Sequence, residues 1–272
     1  MMLFSVSSQE PQQLPREHWD FLPELPLFSG PTIPNIGRRE GIMTALAYSM
    51  LGTCVPRVVS LVKVSGLSRT NQGLREAVKA ELCRLLVRMR SRRFSYYGRP
   101  TQQPYVLFLE LSPGEEYAYC ASRSEWDDSR VHALQKNAPD AEHAVTLERV
   151  QSGTTGAGDW GRPVLTHGDL SDRNILVGPD TLAVTGFIDW EMANIMPAYF
   201  EYVAARLFGG HDPAWRKELL DVLRSVLRCE CDTRRREDLL RETTVTAAWD
   251  AVVDVERIAQ RYNDDCYWTF ER

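Results

Sequence analysis

Two stretches decide the reading: His167-Gly168-Asp169-Leu170-Ser171-Asp172-Arg173-Asn174-Ile175-Leu176-Val177, and Phe187-Ile188-Asp189-Trp190-Glu191. Ile175 to Val177 form a short apolar run, Gly178-Pro179-Asp180 has the composition of a turn, and Leu182 to Ile188 form a second run. Apolar runs joined by such a turn predict a hairpin. Its flanks carry His167, Asp169, Asn174 and Asp189, polar residues badly placed for a core.

Asp169 and Asn174 lie five residues apart and bracket a loop; Asn174 and Asp189 lie fifteen apart, at opposite ends of the hairpin. A hairpin returns its end to its beginning, so Asp189 is expected near Asn174. The product is an open set of hard oxygen ligands with one carboxylate held apart. Mg²⁺ favours one or two protein carboxylates plus substrate phosphates. The separate carboxylate can take a proton from an attacking hydroxyl, and these are the parts that phosphoryl transfer requires.

The string His-Gly-Asp-Leu-x-x-x-Asn-Ile-Leu followed by Ile-Asp-Trp-Glu resembles the aminoglycoside phosphotransferase and choline kinase group, with Pro197, Tyr199, Glu201 and Tyr202 similar to the helix that follows in fungal members. The resemblance is good over 160–210 and weaker over 52–100, where Val55-Pro56-Arg57-Val58 and a helix at 72–92 fit. It implies an α+β, protein-kinase-like fold with a helical C-terminal lobe carrying the catalytic hairpin. It also implies ATP- and Mg²⁺-dependent phosphorylation of a hydroxyl on a small-molecule metabolite. Carried over by position, Asp169 matches the base, Asn174 and Asp189 match the magnesium ligands, and His167 matches a residue that shapes the catalytic loop. Glu191 sits where the group often has an acid near the metal, and Arg173 is as well placed to face solvent as to offset phosphate charge.

Away from the motif, the N-terminal third departs from the pattern. A small lobe of this kind supplies a glycine-rich loop and a strand lysine for the phosphates. No lysine precedes Lys63, and Ser29-Gly30-Pro31 is too short for such a loop. Arg38, Arg39 and Lys63 are the candidates for nucleotide phosphates. The chain is therefore divided into a reduced lobe with a proline-rich arm, residues 1–66, and a phosphotransferase-like lobe, residues 67–272. Three accounts stand side by side: an enzyme with unusual ATP anchoring, a catalytically inactive pseudokinase-type binding module, and an incomplete gene model.

The remaining sequence supplies scaffold. Helices are expected at 39–51, 72–92, 213–228 and 237–262, and one from Pro197 to Phe208, with a strand at 57–64 and mixed structure with loops over 93–163. Ser152-Gly153-Thr154-Thr155-Gly156-Ala157-Gly158 looks like a phosphate loop but lacks the Gly-Lys-Ser/Thr ending, so it is read as surface loop. His18, His132, His143 and His211 have no partner motif and are assigned to surface or packing; Asp172 and Asp180 are assigned to turns. Thirty-two basic and 37 acidic residues give a net charge of −5, which argues against a nucleic-acid partner. The six cysteines show no C-x-x-C spacing, no apolar run is long enough to cross a membrane, and Met1 to Ser8 lack the basic start of a secretory leader. A cytoplasmic protein with reduced thiols is the expectation.

Overall fold

The fold is taken from a computed structural model, which describes residues 38–52, 72–107, 118–154, 160–178, 183–208, 211–231 and 242–261. In chain order these form α1 (Arg38–Leu51), α2 (Gln72–Met89), α3 (Arg123–Asn137), α4 (Ala141–Gly153), β1 (Pro163–Thr166), β2 (Ile175–Val177), β3 (Val184–Phe187), β4 (Asn194–Pro197), α5 (Phe200–Leu207), α6 (Pro213–Cys231) and α7 (Glu242–Ala259), with a 3₁₀ turn at Trp190–Met192. The architecture is α+β and mostly helical. The expected strand at 57–64, the 237–241 start of the last helix, and Lys63 lie outside the described residues.

Two antiparallel strand pairs frame the motif. β1 pairs with β4 from Pro163↔Pro197 to Thr166↔Asn194, and β2 pairs with β3 from Ile175↔Phe187, with an irregularity between Leu176 and Val177. Gly98 extends the first pair by exchanging backbone hydrogen bonds with Ile195 at 2.9 and 2.8 Å. The helix expected from Pro197 begins instead at Phe200, because Pro197 closes β4 opposite Pro163. Proline is accepted at the end of a strand, where no ladder N–H is needed.

Helices α3 and α4 occupy the stretch expected to be mixed and loop-rich. Ser122 caps α3, accepting the Glu125 N–H at 3.2 Å while Glu125 accepts the Ala121 N–H at 2.7 Å. Asp140 caps α4 by accepting the His143 N–H at 2.7 Å. Their buried faces are Trp126, Arg130, Leu134 and Ala144, Leu147, Gln151. One position in each three is polar, so the apolar periodicity that signals a helix is broken.

Arg130 and Glu256 pair inside this helical layer at 3.0 Å, both almost fully buried. Tyr105 Oη accepts from Arg130 at 2.8 Å, and Tyr199 Oη and Gln260 donate to Glu256 at 3.0 and 2.6 Å. The guanidinium also lies 4.3 Å from the Trp126 ring centroid. The pair ties α3 to α7 and, through Tyr199, to the start of α5. α2 packs on α6, α3 and α4 pack on α7, and α5 packs on α6 and α7. Leu82, Leu85, Leu86, Met89, Leu165, Ile195, Phe200 and Trp249 are among the core residues so formed. That core carries β1 and β4, and the His167–Val177 motif leaves from the end of β1.

Candidate active site

The chain leaves β1 at His167 and turns sharply at Gly168, where φ is +83°. A Cβ at this glycine would lie 2.5 Å from the Met192 carbonyl oxygen, so the turn both needs the left-handed region and presses on the 190–192 turn. Glu201, 2% exposed in the first turn of α5, accepts the N–H of His167 at 2.7 Å and of Gly168 at 3.0 Å. Burial pushes its carboxyl up to about 7, although those two backbone donors favour the ionised form.

His167 is fully buried between Trp190, 4.6 Å away by ring centroids, and Phe187, at 6.2 Å. Its Nδ1 faces the Asp169 backbone N–H at 3.3 Å and its Nε2 faces the Ile188 carbonyl at 2.9 Å. An N–H donor on one side and a carbonyl on the other select the neutral ring protonated at Nε2. Burial likewise holds the ring below the usual histidine range. His167 therefore ties the Asp169 loop to the strand end next to Asp189, and it is not placed to exchange protons with solvent.

Asp169 is half-buried. Its Oδ2 accepts from Asn174 Nδ2 at 2.8 Å, and its Oδ1 lies 3.1 Å from His211 Nε2. Burial opposes ionisation, but the His211 hydrogen bond and charges nearby hold the carboxyl below its ordinary range. Asn174, 7% exposed, also donates to the Asp169 carbonyl at 3.0 Å, and its own carbonyl accepts the Ile188 N–H at 3.0 Å. That last bond sets Asn174 beside the residue preceding Asp189. Asp189 is exposed and adopts φ 63°, ψ 67°, a left-handed backbone that few non-glycine residues take.

Glu191 is exposed, and partial loss of water around its carboxyl followed by repulsion from Asp189 and Asp169 pushes it above the usual range. Its backbone carbonyl accepts from Arg99, whose Nε also donates to Asn194 Oδ1 at 3.1 Å. Asn194 in turn accepts the Val106 N–H at 2.9 Å and donates to the Val106 and Met192 carbonyls at 2.7 and 2.8 Å. Arg173 is exposed; Asp172 is buried at a turn, and Asp180 lies outside the described residues. Arg38 and Arg39 open α1, which packs against the 190–192 turn.

Among the described residues no group of three or more His, Cys, Asp or Glu is arranged to hold a metal. The donor set still suits Mg²⁺, which needs few protein ligands when phosphates complete its sphere. Asn174 spends its amide N–H groups on Asp169, leaving Oδ1 as its available oxygen, and Asp189 presents an exposed carboxylate.

A family model described as "Phosphotransferase enzyme family" matches residues 53–240. The chain belongs to this phosphotransferase family. The α+β, protein-kinase-like class expected from the motif stands with that membership, and the family match spans the motif, both strand pairs and α5. No curated protein matches the sequence. Similar solved structures include an aminoglycoside phosphotransferase from Streptomyces rimosus with ADP and streptomycin, at 18% identity over 72% of this chain and 68% of that one, TM-score 0.32. They also include the gentamicin complex of APH(2″)-IIa, at 10% identity over 84% and 83%, TM-score 0.36. The ADP-bound aminoglycoside phosphotransferase APH(2″)-Ib is similar at 10% identity over 83% and 86%, TM-score 0.36. No helix of the described residues is long and apolar enough to cross a membrane.

Of the two assignments expected for His211, surface or packing, the structure shows the buried one, with a partner that no motif announces. The histidine is 7% exposed and faces Asp169 across 42 residues of sequence. Asp212 beside it accepts the Trp215 N–H at 2.9 Å at the start of α6, and nothing in the linear pattern connects that stretch to Asp169. Glu201 was read as part of a resembling helix, without its role on the loop backbone. A glutamate amid the apolar run Tyr199-Phe200-Glu201-Tyr202-Val203 is the signal that points to a buried acceptor.

Proposed function

We propose that this phosphotransferase moves the terminal phosphoryl group of ATP to a hydroxyl of a small-molecule metabolite, with Mg²⁺. The observation that carries the reading is the Asn174 side chain. Its amide fastens both the carboxylate and the main chain of Asp169, while its backbone carbonyl holds the strand that presents Asp189.

In this reading Asp169 orients the acceptor hydroxyl and takes its proton as the oxygen attacks phosphorus. Asn174 Oδ1 and the Asp189 carboxylate are the groups that would hold the metal, with Glu191 an outer acid. Bound Mg²⁺ supplies charge neutralisation on the transferring phosphoryl. Glu201, Gly168 and His167 keep the loop in one geometry, so little reorganisation is needed at the moment of reaction. Arg38, Arg39 and Lys63 are assigned to the nucleotide phosphates, within a reduced lobe of residues 1–66, and residues 67–272 form the catalytic lobe. A cytoplasmic site of action accompanies the proposal.

The absence of any lysine before Lys63 favours a second reading, a pseudokinase-type binding module. Thermal unfolding with ATP or GTP, each with and without Mg²⁺, followed by transfer assays against a metabolite panel, separates the two. Stabilisation by Mg²⁺·ATP with a phosphorylated product supports the kinase. Stabilisation without turnover supports the binding module. No response to any nucleotide contradicts the proposal.

A further inference from the structure

His211 sits on the short stretch between α5 and α6, and its imidazole is aimed at the motif. Its Nε2 lies 3.1 Å from Asp169 Oδ1, while the opposite nitrogen, Nδ1, is buried with no hydrogen-bond partner among the described residues. An N–H at Nδ1 would be a buried donor without an acceptor, so the proton belongs on Nε2, where the carboxylate receives it. The Asp169 carboxylate is then clamped from both sides, by His211 on Oδ1 and by Asn174 at 2.8 Å on Oδ2. Two donors on two oxygens fix rotation about the Cβ–Cγ bond and leave a lone pair on each oxygen for an acceptor hydroxyl.

The support behind His211 reaches the same loop. Trp215, in the first turn of α6, donates Nε1–H to the Leu170 carbonyl at 2.9 Å. Asp212 accepts the Trp215 N–H at 2.9 Å, and Arg216 donates to the Phe208 carbonyl at 3.0 Å. One structural unit therefore grips the side chain of Asp169 and the carbonyl of the next residue. A histidine retained for packing alone has no need to direct a donor at the one carboxylate assigned to the acceptor.

We propose that His211 is a positioning residue for phosphoryl transfer, setting the Asp169 carboxylate through its Nε2–H. The inference rests on the function proposed above. It is tested with His211→Gln, His211→Asn and His211→Phe, using phosphate release from Mg²⁺·ATP with water as the acceptor, a probe that needs no identified metabolite. Glutamine places an N–H donor at the reach of Nε2; asparagine is an amide too short to do so. A carboxylate misplaced by about an ångström lowers rate by about 10²-fold. His211→Asn and His211→Phe are expected to lose kcat on that scale with KM for ATP within about twofold of wild type, and His211→Gln to recover most of it. The Gln and Asn variants share chemistry and fold, so their comparison survives if the Phe variant unfolds. Wild-type kcat in His211→Asn, equal losses in Gln and Asn, or a KM that moves with kcat overturns the positioning role alone. A wild type that neither releases nor transfers phosphate overturns the function itself and this inference with it.

Discussion

The carboxylate of Glu201 accepts the backbone N–H of His167 at 2.7 Å, with the Gly168 N–H held 3.0 Å from its other oxygen. A buried carboxyl in the first turn of α5 thus fixes the main chain that carries Asp169. Glu201→Gln turns one acceptor into an amide donor facing an N–H. The expected cost is about 1–3 kcal/mol of stability in urea unfolding, with reduced turnover. A variant as stable as wild type would show that the loop does not depend on two acceptors.

The same residue predicts a pH effect. Glu201 is held at about 7, above an ordinary value of 4.5 that the unfolded chain regains. The folded state therefore binds the extra proton, and stability from this group is full below pH 4.5 and lost as pH rises through 7. His167 works oppositely, since its lowered value costs stability as pH falls below 6.5. The difference between wild type and Glu201→Gln isolates the first effect. The advantage of wild type over the variant should shrink by up to about 3 kcal/mol between pH 4.5 and 7. A difference that does not change with pH contradicts the assignment.

Gly168→Ala should be among the most damaging single-methyl changes in the chain. The new Cβ would meet the Met192 carbonyl oxygen at 2.5 Å, at φ +83°. The expected loss is about 2 kcal/mol or more in stability, with catalytic activity lost alongside. A thermal melt within a degree of wild type would show that the loop can shift away from the 190–192 turn.

Arg130 and Glu256 form a buried pair whose partners depend on each other. Arg130→Met leaves the Glu256 charge on α7 without its buried cation, and the expected loss is about 3–5 kcal/mol. Replacing both residues with methionine should recover at least half of that loss. Additive losses in the double variant would show that the two are not energetically coupled.

Much of this molecule can be read from the chain, for identifiable reasons. The hairpin was legible because β2 and β3 are short apolar runs around a turn, and Asp169, Asn174 and Asp189 because they bracket those runs at set distances. Two apolar faces, in α3 and α4, were concealed by Arg130 and Gln151, polar residues made tolerable by partners far away in sequence: Glu256 for one and, at 2.7 Å, Asp127 for the other. The β1–β4 pair was hidden because Pro197 has the composition of a helix start until Pro163 is seen opposite it. His211 was missed because its partner lies 42 residues away, a relationship created by the docking of α6. Local pattern identifies groups that share an element; groups that meet through packing become visible only in the fold.

In the proposed reading Asp169, Asn174 and Asp189 form a phosphoryl-transfer site, and the decisive measurement follows the label from γ-phosphate-labelled ATP into a metabolite mixture. Wild type, Asp169→Asn and Asp189→Ala are compared, each with and without Mg²⁺. The expected result is a labelled small molecule whose formation requires Mg²⁺, with transfer lowered about 10²–10⁴-fold in Asp169→Asn, nucleotide affinity in that variant nearly unchanged, and Mg²⁺-dependent binding lost in Asp189→Ala. Transfer by Asp169→Asn at the wild-type rate, or a folded wild type that labels nothing, would contradict it.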